Sequence, residues 1–249
     1  MDPLSDDEFS KIYLTLRTPD PYGRRNALIF LIGAWMGLRA SEILDIRIKQ
    51  ISVMPPKSNE RLRIKPSQLK GGNKGKKNKE DMTPEEAAKE EKLEKRRNAV
   101  KGRDLIIPDE LKEHIEDYLL WYREYYGGHG SNDLLFRSQK KTEEKEPKKL
   151  TYGAISDLLK DAAKQNGIHE KKIGSHTMRK TFASKTYKLN GGDMHKLQRS
   201  MGHKSITSTE SYIKANQEEI DQSNISVARD FAKLVKKPPS KERNDGSME

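Results

Sequence analysis

A chain of 249 residues without a single cysteine excludes disulfide staples, cysteine-ligated zinc and thiol catalysis, and leaves Ser, Thr, Tyr, Lys, Arg, His and carboxylates to carry any chemistry. Only 33% of the residues are hydrophobic against 35% charged, so the apolar residues must concentrate in a few segments around one core while polar appendages stay solvated. The formal net charge of +11 points to a polyanionic partner, nucleic acid before an anionic membrane, and the longest apolar run, Ala27 to Leu38, falls short of the roughly 20 residues a membrane span needs.

No basic stretch leads into a hydrophobic signal region, so an intracellular, cytoplasmic location is expected. Ser5 followed by Glu8 is a capping-box pattern, and Phe9, Ile12, Tyr13 and Leu16 recur at helical spacing, which predicts an amphipathic first helix. After the breaker "TPDPYG", a second helix is expected from about Arg24 through the apolar run, interrupted near Gly37 and resuming at "RASEILDI" with Ile43 and Leu44 inward. From Gln50 to Leu69 the pattern changes to short β segments punctuated by prolines, and in "RLRIKP" Leu62 and Ile64 alternate with basic residues. The return strand is read in "RDLIIP", residues 103–108, which leaves a charged insertion at about 71–102 between the two strands of a small antiparallel sheet. Within it "TPEE" is another capping box, but the residues that follow offer no apolar face to bury.

Leu111, Ile115, Leu119 and Tyr122 form one buried stripe on a helix that ends at Gly127, Gly128 and Gly130. "LLFRS" is a short apolar piece, and "QKKTEEKEPKK" a charged surface loop. A helix is expected from Thr151 with Ile155, Leu158, Leu159 and Ala162 inward and Gly167 as its stop. "SHTMRKTFASKTYKLNGG" and "DMHKLQRSMGH" give two further helices bounded by glycines. A last helix starts in the Ser/Thr cluster 205–209 and carries Tyr212, and the tail after about Lys236 is expected to be disordered. The fold class is therefore mainly α with a small antiparallel β-sheet.

His176 and Arg179, three apart, share one helix face, while Arg39 and His203 each adjoin a glycine at a helix boundary, where backbone can approach a ligand closely. Brought together, they make a donor cluster with two guanidinium forks, the geometry that grips a phosphodiester. The stretch "MGHKSITSTESYIK" then supplies Tyr212 as a nucleophile. A tyrosine hydroxyl with a pKa near ~10 is barely ionised at neutral pH, and neighbouring arginines favour both the phenolate and the extra negative charge of a phosphorane. Its attack would form a covalent phosphotyrosine, expel a sugar hydroxyl and keep the bond energy for rejoining, with no call for ATP, cofactor or metal. His114, His129, His169 and His195 show no metal-ligand spacing.

These residues carry a resemblance to the catalytic domain of the tyrosine recombinases, the phage integrase family to which Xer and Cre recombinases belong. "MGLRASEILDI" resembles the family's first arginine motif, which implies that Arg39 is its first catalytic arginine and Glu42 a supporting residue. "HTMRKTFAS" resembles the second box and carries over His176 and Arg179; "MGHKSITSTESYIK" resembles the last, with His203 and the nucleophile Tyr212. The family's catalytic lysine, the proton donor to the leaving 5′ oxygen, sits in a β-hairpin turn. In "QLKGGNKGKKNK" Lys70 fits it, with Lys74 and Lys101 remaining as alternatives because the insertion opens this hairpin.

The resemblance spans about Leu4 to Lys214 and does not include the family's separate N-terminal core-binding domain. It implies a catalytic domain over residues 1–215, a C-terminal helical segment over 216–236 that packs on a neighbouring protomer, and a tail over 237–249. The activity implied is site-specific cleavage and rejoining of double-stranded DNA through a 3′-phosphotyrosine, with self-association into a tetrameric synapse on DNA. Two other readings share the same residues: a DNA-relaxing enzyme similar to type IB topoisomerases, and a basic DNA-binding protein without activity.

Overall fold

A computed structural model describes residues 1–20, 22–69, 83, 85, 102–138, 149–203 and 206–210, all within one compact unit, Met1–Tyr212. The described elements are α1 (Asp6–Leu16), α2 (Gly23–Trp35), α3 (Ala40–Leu44), α4 (Ile48–Ile51), β1 (Arg61–Ile64), a 3-10 turn at Pro66–Gln68, β2 (Arg103–Ile106), α5 (Asp109–Tyr126), α6 (Tyr152–Gln165), α7 (Thr177–Leu189), α8 (Met194–Met201) and α9 (Thr207–Glu210). The architecture is mainly helical with one two-stranded antiparallel sheet.

The apolar run makes α2 the centre of the fold. Every residue from Arg25 to Ala34 is buried, and the helix packs against α1, α5 and α7, as a helix apolar on all sides must. The predicted start of α1 is present: Ser5 accepts from the Glu8 N–H, and Glu8 accepts from the Ser5 N–H at 2.7 Å. Its Ile12 and Leu16 are buried, with Phe9 and Tyr13 packed beside them. On α5, Leu111, Ile115, Leu119 and Tyr122 line the core. The buried Tyr118 and Tyr122 hydroxyls donate to the Leu135 and Leu134 carbonyls at 2.8 and 3.2 Å, which pins the "LLF" segment beneath the helix. Thr151 caps α6 and Ile155, Leu159 and Ala162 face inward, while Leu158 is only partly buried.

The stretch from Gln50 to Leu69 departs from the short β segments expected of it. Its only described strand is β1, preceded by the helical turn α4 and followed by the 3-10 turn. Glutamine side chains account for both turns: Gln50 accepts from the Arg47 N–H at 2.9 Å and Gln68 from the Lys65 N–H at 2.8 Å, while Gln50 and Gln68 bond each other at 2.8 Å. Amides satisfying the backbone locally remove the need for a ladder partner. The strand pair itself is as expected, with Leu62 opposite Leu105 and Ile64 opposite Arg103, and with Leu62 and Ile64 buried. Apart from Thr83 and Glu85 of the "TPEE" capping box, the insertion from residue 70 to 101 lies outside the described residues, as do the 216–236 segment and the 237–249 tail.

Gly37 makes the turn between α2 and α3. Its φ is +63°, and a Cβ there would stand 2.4 Å from Cδ1 of Phe182 on α7. Gly37→Ala is therefore expected to lower stability by about 2–4 kcal/mol, combining left-handed strain with overpacking against the ring. Urea unfolding of the two proteins would measure it, and an unchanged midpoint would show that the turn relaxes freely.

Candidate functional site

The neighbours Arg39 and Glu42 lie far in sequence from Arg179 and His203, and the fold brings the four together. Arg39 is the N-cap of α3. Its backbone N–H donates to Glu42 Oε2 at 2.9 Å and its Nη1 to Glu42 Oε1 at 2.7 Å. The Glu42 side chain is 0% exposed and that of Arg39 21%, so the carboxylate is wholly committed while part of the guanidinium still reaches the surface. The glutamate in the third position of the helix thus caps Arg39 and holds it at the end of the apolar run.

Arg179, on the first turn of α7, is 0% exposed. Its described partners include two backbone carbonyls and an imidazole. Its Nη1 donates to the Gly37 carbonyl, its Nη2 donates to the Met201 carbonyl at 2.7 Å, and the same Nη2 lies 2.8 Å from His203 Nε2. The guanidinium therefore joins the α2–α3 turn, the C-terminal end of α8 and the residue that follows it. Carbonyl oxygens fix the orientation of the group without neutralising it.

The tautomer of His203 follows from its neighbours. Arginine can only donate, so Nε2 accepts, and the proton of the neutral ring must sit on Nδ1, which lies 3.0 Å from Thr209 Oγ1 on α9. The pKa of this imidazole is lowered from 6.5 to about 4, first by burial and then by the Arg179, Arg39 and Arg103 charges. At neutral pH the ring is uncharged, and among the described residues of the cluster three guanidinium cations face one carboxylate, Glu42, an excess of two positive charges.

A histidine whose folded pKa lies below its unfolded value binds fewer protons folded than unfolded between those two values, so it costs stability there. Stability should fall as pH drops from about 6.5 towards 4. His203→Gln removes that proton uptake, and the stability difference between the variant and the wild type should move in the variant's favour across this window. Thermal unfolding of both proteins from pH 7 to 4 would show it; parallel curves would mean that His203 titrates normally.

His176 stands at the N-cap of α7, half-buried, and its ring meets Tyr152 of α6 edge-on at 6.2 Å; this described ring contact is with an aromatic neighbour rather than with the arginines. Tyr212, Lys70, Lys74 and Lys101 lie outside the described residues. One member of the cluster escaped the sequence reading. Arg103, at the start of β2, donates from Nη2 to the Ser200 carbonyl at 3.0 Å and places Nη1 3.8 Å from Glu42 Oε2. Its signal was its cross-strand position, since a residue opposite the buried Ile64 shares the inward face of the sheet. Among the described residues no group of three or more histidines and carboxylates could hold a metal ion, and no helix is long and apolar enough to cross a membrane.

Solved structures with this fold include a XerH site-specific recombinase bound to a palindromic difH substrate in a post-cleavage complex, at 20% identity and a TM-score of 0.61 over 89% of this chain. A XerA recombinase aligns over 96% of the chain at 19% identity with a TM-score of 0.56, and a Tn1549 transposon integrase in complex with transposon right end DNA over 91% at 18% with 0.53. The alignments take in 51%, 64% and 66% of those chains, so this chain spans between half and two thirds of their length. At such identities the likeness shows the fold, that of a tyrosine recombinase catalytic domain. No curated protein sequence matches the chain. The profile of the Phage integrase family matches residues 3–219, most of the sequence, and the chain belongs to that family, the tyrosine recombinases.

Proposed function

We propose that the protein cleaves and rejoins double-stranded DNA at specific sites through a covalent 3′-phosphotyrosine on Tyr212. The observation that carries this reading is the convergence of Arg39 and Arg179 around a neutral His203, with positive charge in excess of what Glu42 balances. A phosphodiester carries one negative charge and the pentacoordinate phosphorane two, so the cluster's surplus matches the transition state better than the ground state, which is the condition for accelerating the reaction.

The reading assigns a task to each group. Arg39, partly exposed and braced by Glu42, and Arg179, braced by backbone carbonyls, grip the non-bridging phosphate oxygens. His203 orients the Arg179 fork through Nε2, and His176, at the same helix start as Arg179, contributes a further donor to the phosphate. The Tyr212 hydroxyl gives up its proton to solvent water and its oxygen bonds to phosphorus. The bond from phosphorus to the 5′ oxygen breaks, and a lysine, Lys70 before Lys74 or Lys101, protonates that oxygen. Attack of a 5′ hydroxyl on the phosphotyrosine reverses each step and reseals the strand. DNA is the partner that the +11 net charge favours.

The test is a nicked suicide duplex, in which the expelled fragment diffuses away and the protein stays attached to the 3′ phosphate. A protein–DNA band stable to denaturant is expected, and mass spectrometry should place the nucleotide on Tyr212. Binding without any adduct under single-turnover conditions would favour a purely DNA-binding role. Relaxation of supercoils without recombinant products would favour the topoisomerase-like one.

A further inference from the structure

Arg103 lies in the middle of the constellation without belonging to any of the motifs that define it. Its side chain is 12% exposed. Nη2 binds the Ser200 carbonyl, one residue before the Met201 carbonyl that takes Arg179, so two guanidinium groups meet the C-terminal, negative pole of α8, from which His203 follows. Nη1 is buried, makes no hydrogen bond, and points to the Glu42 oxygen that accepts the Arg39 N–H. The residue between α8 and His203 is shaped for this guanidinium: Gly202 has a φ of +63°, and a Cβ on it would stand 2.7 Å from Arg103 Nε.

A purely structural demand would not put an arginine there. The position faces inward opposite Ile64, where an apolar side chain of similar volume would avoid the desolvation of a cation, and Arg39 stands close enough to Arg103 for their like charges to disfavour one another. The retained charge makes sense if it serves the site. We propose that Arg103 is a positioning residue of the reaction, joining β2 to Glu42 and to the end of α8 so that Arg39 and His203 are held at the scissile phosphate. This rests on the function proposed above.

The experiment compares Arg103→Met and Arg103→Lys with the wild type in three measurements: thermal unfolding, single-turnover adduct formation on the nicked duplex at saturating DNA, and titration of the His203 imidazole by NMR. Arg103→Met is expected to unfold at or above the wild-type temperature. It should form the adduct about 10²-fold more slowly and move the His203 titration towards its ordinary range. Arg103→Lys, which keeps the charge but not the fork, should slow the adduct about 10-fold and move His203 less. Adduct formation within twofold of the wild type in both variants would overturn the proposal, as would a slow variant in which His203 titrates unchanged. If Arg103→Met does not fold, the lysine variant decides by the same two readouts. If the wild type itself forms no adduct, the function proposed above fails, while the His203 titration still decides what Arg103 does.

Discussion

A protein carrying Tyr212→Phe is expected to form no covalent adduct with the nicked duplex while binding it as tightly as the wild type. The substitution keeps the ring and removes one oxygen, the atom that would bond to phosphorus. Binding would draw on many of the 49 lysines and arginines through phosphate contacts, so it should survive with its salt dependence intact. The loss of adduct should exceed about 10⁴-fold, since removal of a nucleophile leaves only the contribution of the groups that hold the substrate. Thr209, fully buried on α9, binds Nδ1 of the histidine that holds Arg179, and Tyr212 follows it by three residues. An adduct formed by the phenylalanine variant would end the assignment.

Arg179→Lys should be nearly as damaging, and for reasons that the structure makes specific. The guanidinium reaches the Gly37 carbonyl, the Met201 carbonyl and the His203 ring at once, three points on three different segments. A lysine brings one nitrogen to a place that needs a planar fork, leaving buried acceptors unpaired at about 1–3 kcal/mol each. A stability loss of about 2–4 kcal/mol is expected, read from urea unfolding. Adduct formation should slow by about 10²–10³-fold although the formal charge is unchanged, because the phosphorane oxygens lose a preorganised donor. Wild-type cleavage by the lysine variant would show that charge alone is needed there.

The helices and the cluster were legible to different degrees. Segments with a single apolar stripe, such as α5, or a capped start, such as α1 and α6, could be read directly, because local periodicity and capping decide them. Glu42 was legible only as a supporting residue through the resemblance of "MGLRASEILDI" to the family's first arginine motif, and its bonds to the Arg39 backbone and side chain were not. Arg103 was not, since one arginine among many basic residues has no local signature. Its role arises from the pairing of β2 with β1, which sets Arg103 on the face of Ile64 and turns Ile106, an isoleucine, out to 65% exposure. The turns at Ile48–Ile51 and Pro66–Gln68 were missed because Gln50 and Gln68 stabilise them by bonds to each other and to backbone that no single window of sequence displays.

The flanks of the β1–β2 pair fix its register. Four residue pairs and the burial of Leu62 and Ile64 set the register, and Gly102 passes so close to the Ile64 carbonyl that a Cβ would stand 2.7 Å from it. Lengthening a connection from a tight turn to the span between Ile64 and Arg103 costs roughly 2–3 kcal/mol of closure entropy, a penalty that grows only with the logarithm of length. On this ground a longer or shorter connection between Ile64 and Arg103 is expected to change stability by about 1 kcal/mol or less per doubling or halving of its length, while the register that sets Arg103 opposite Ile64 stays the same.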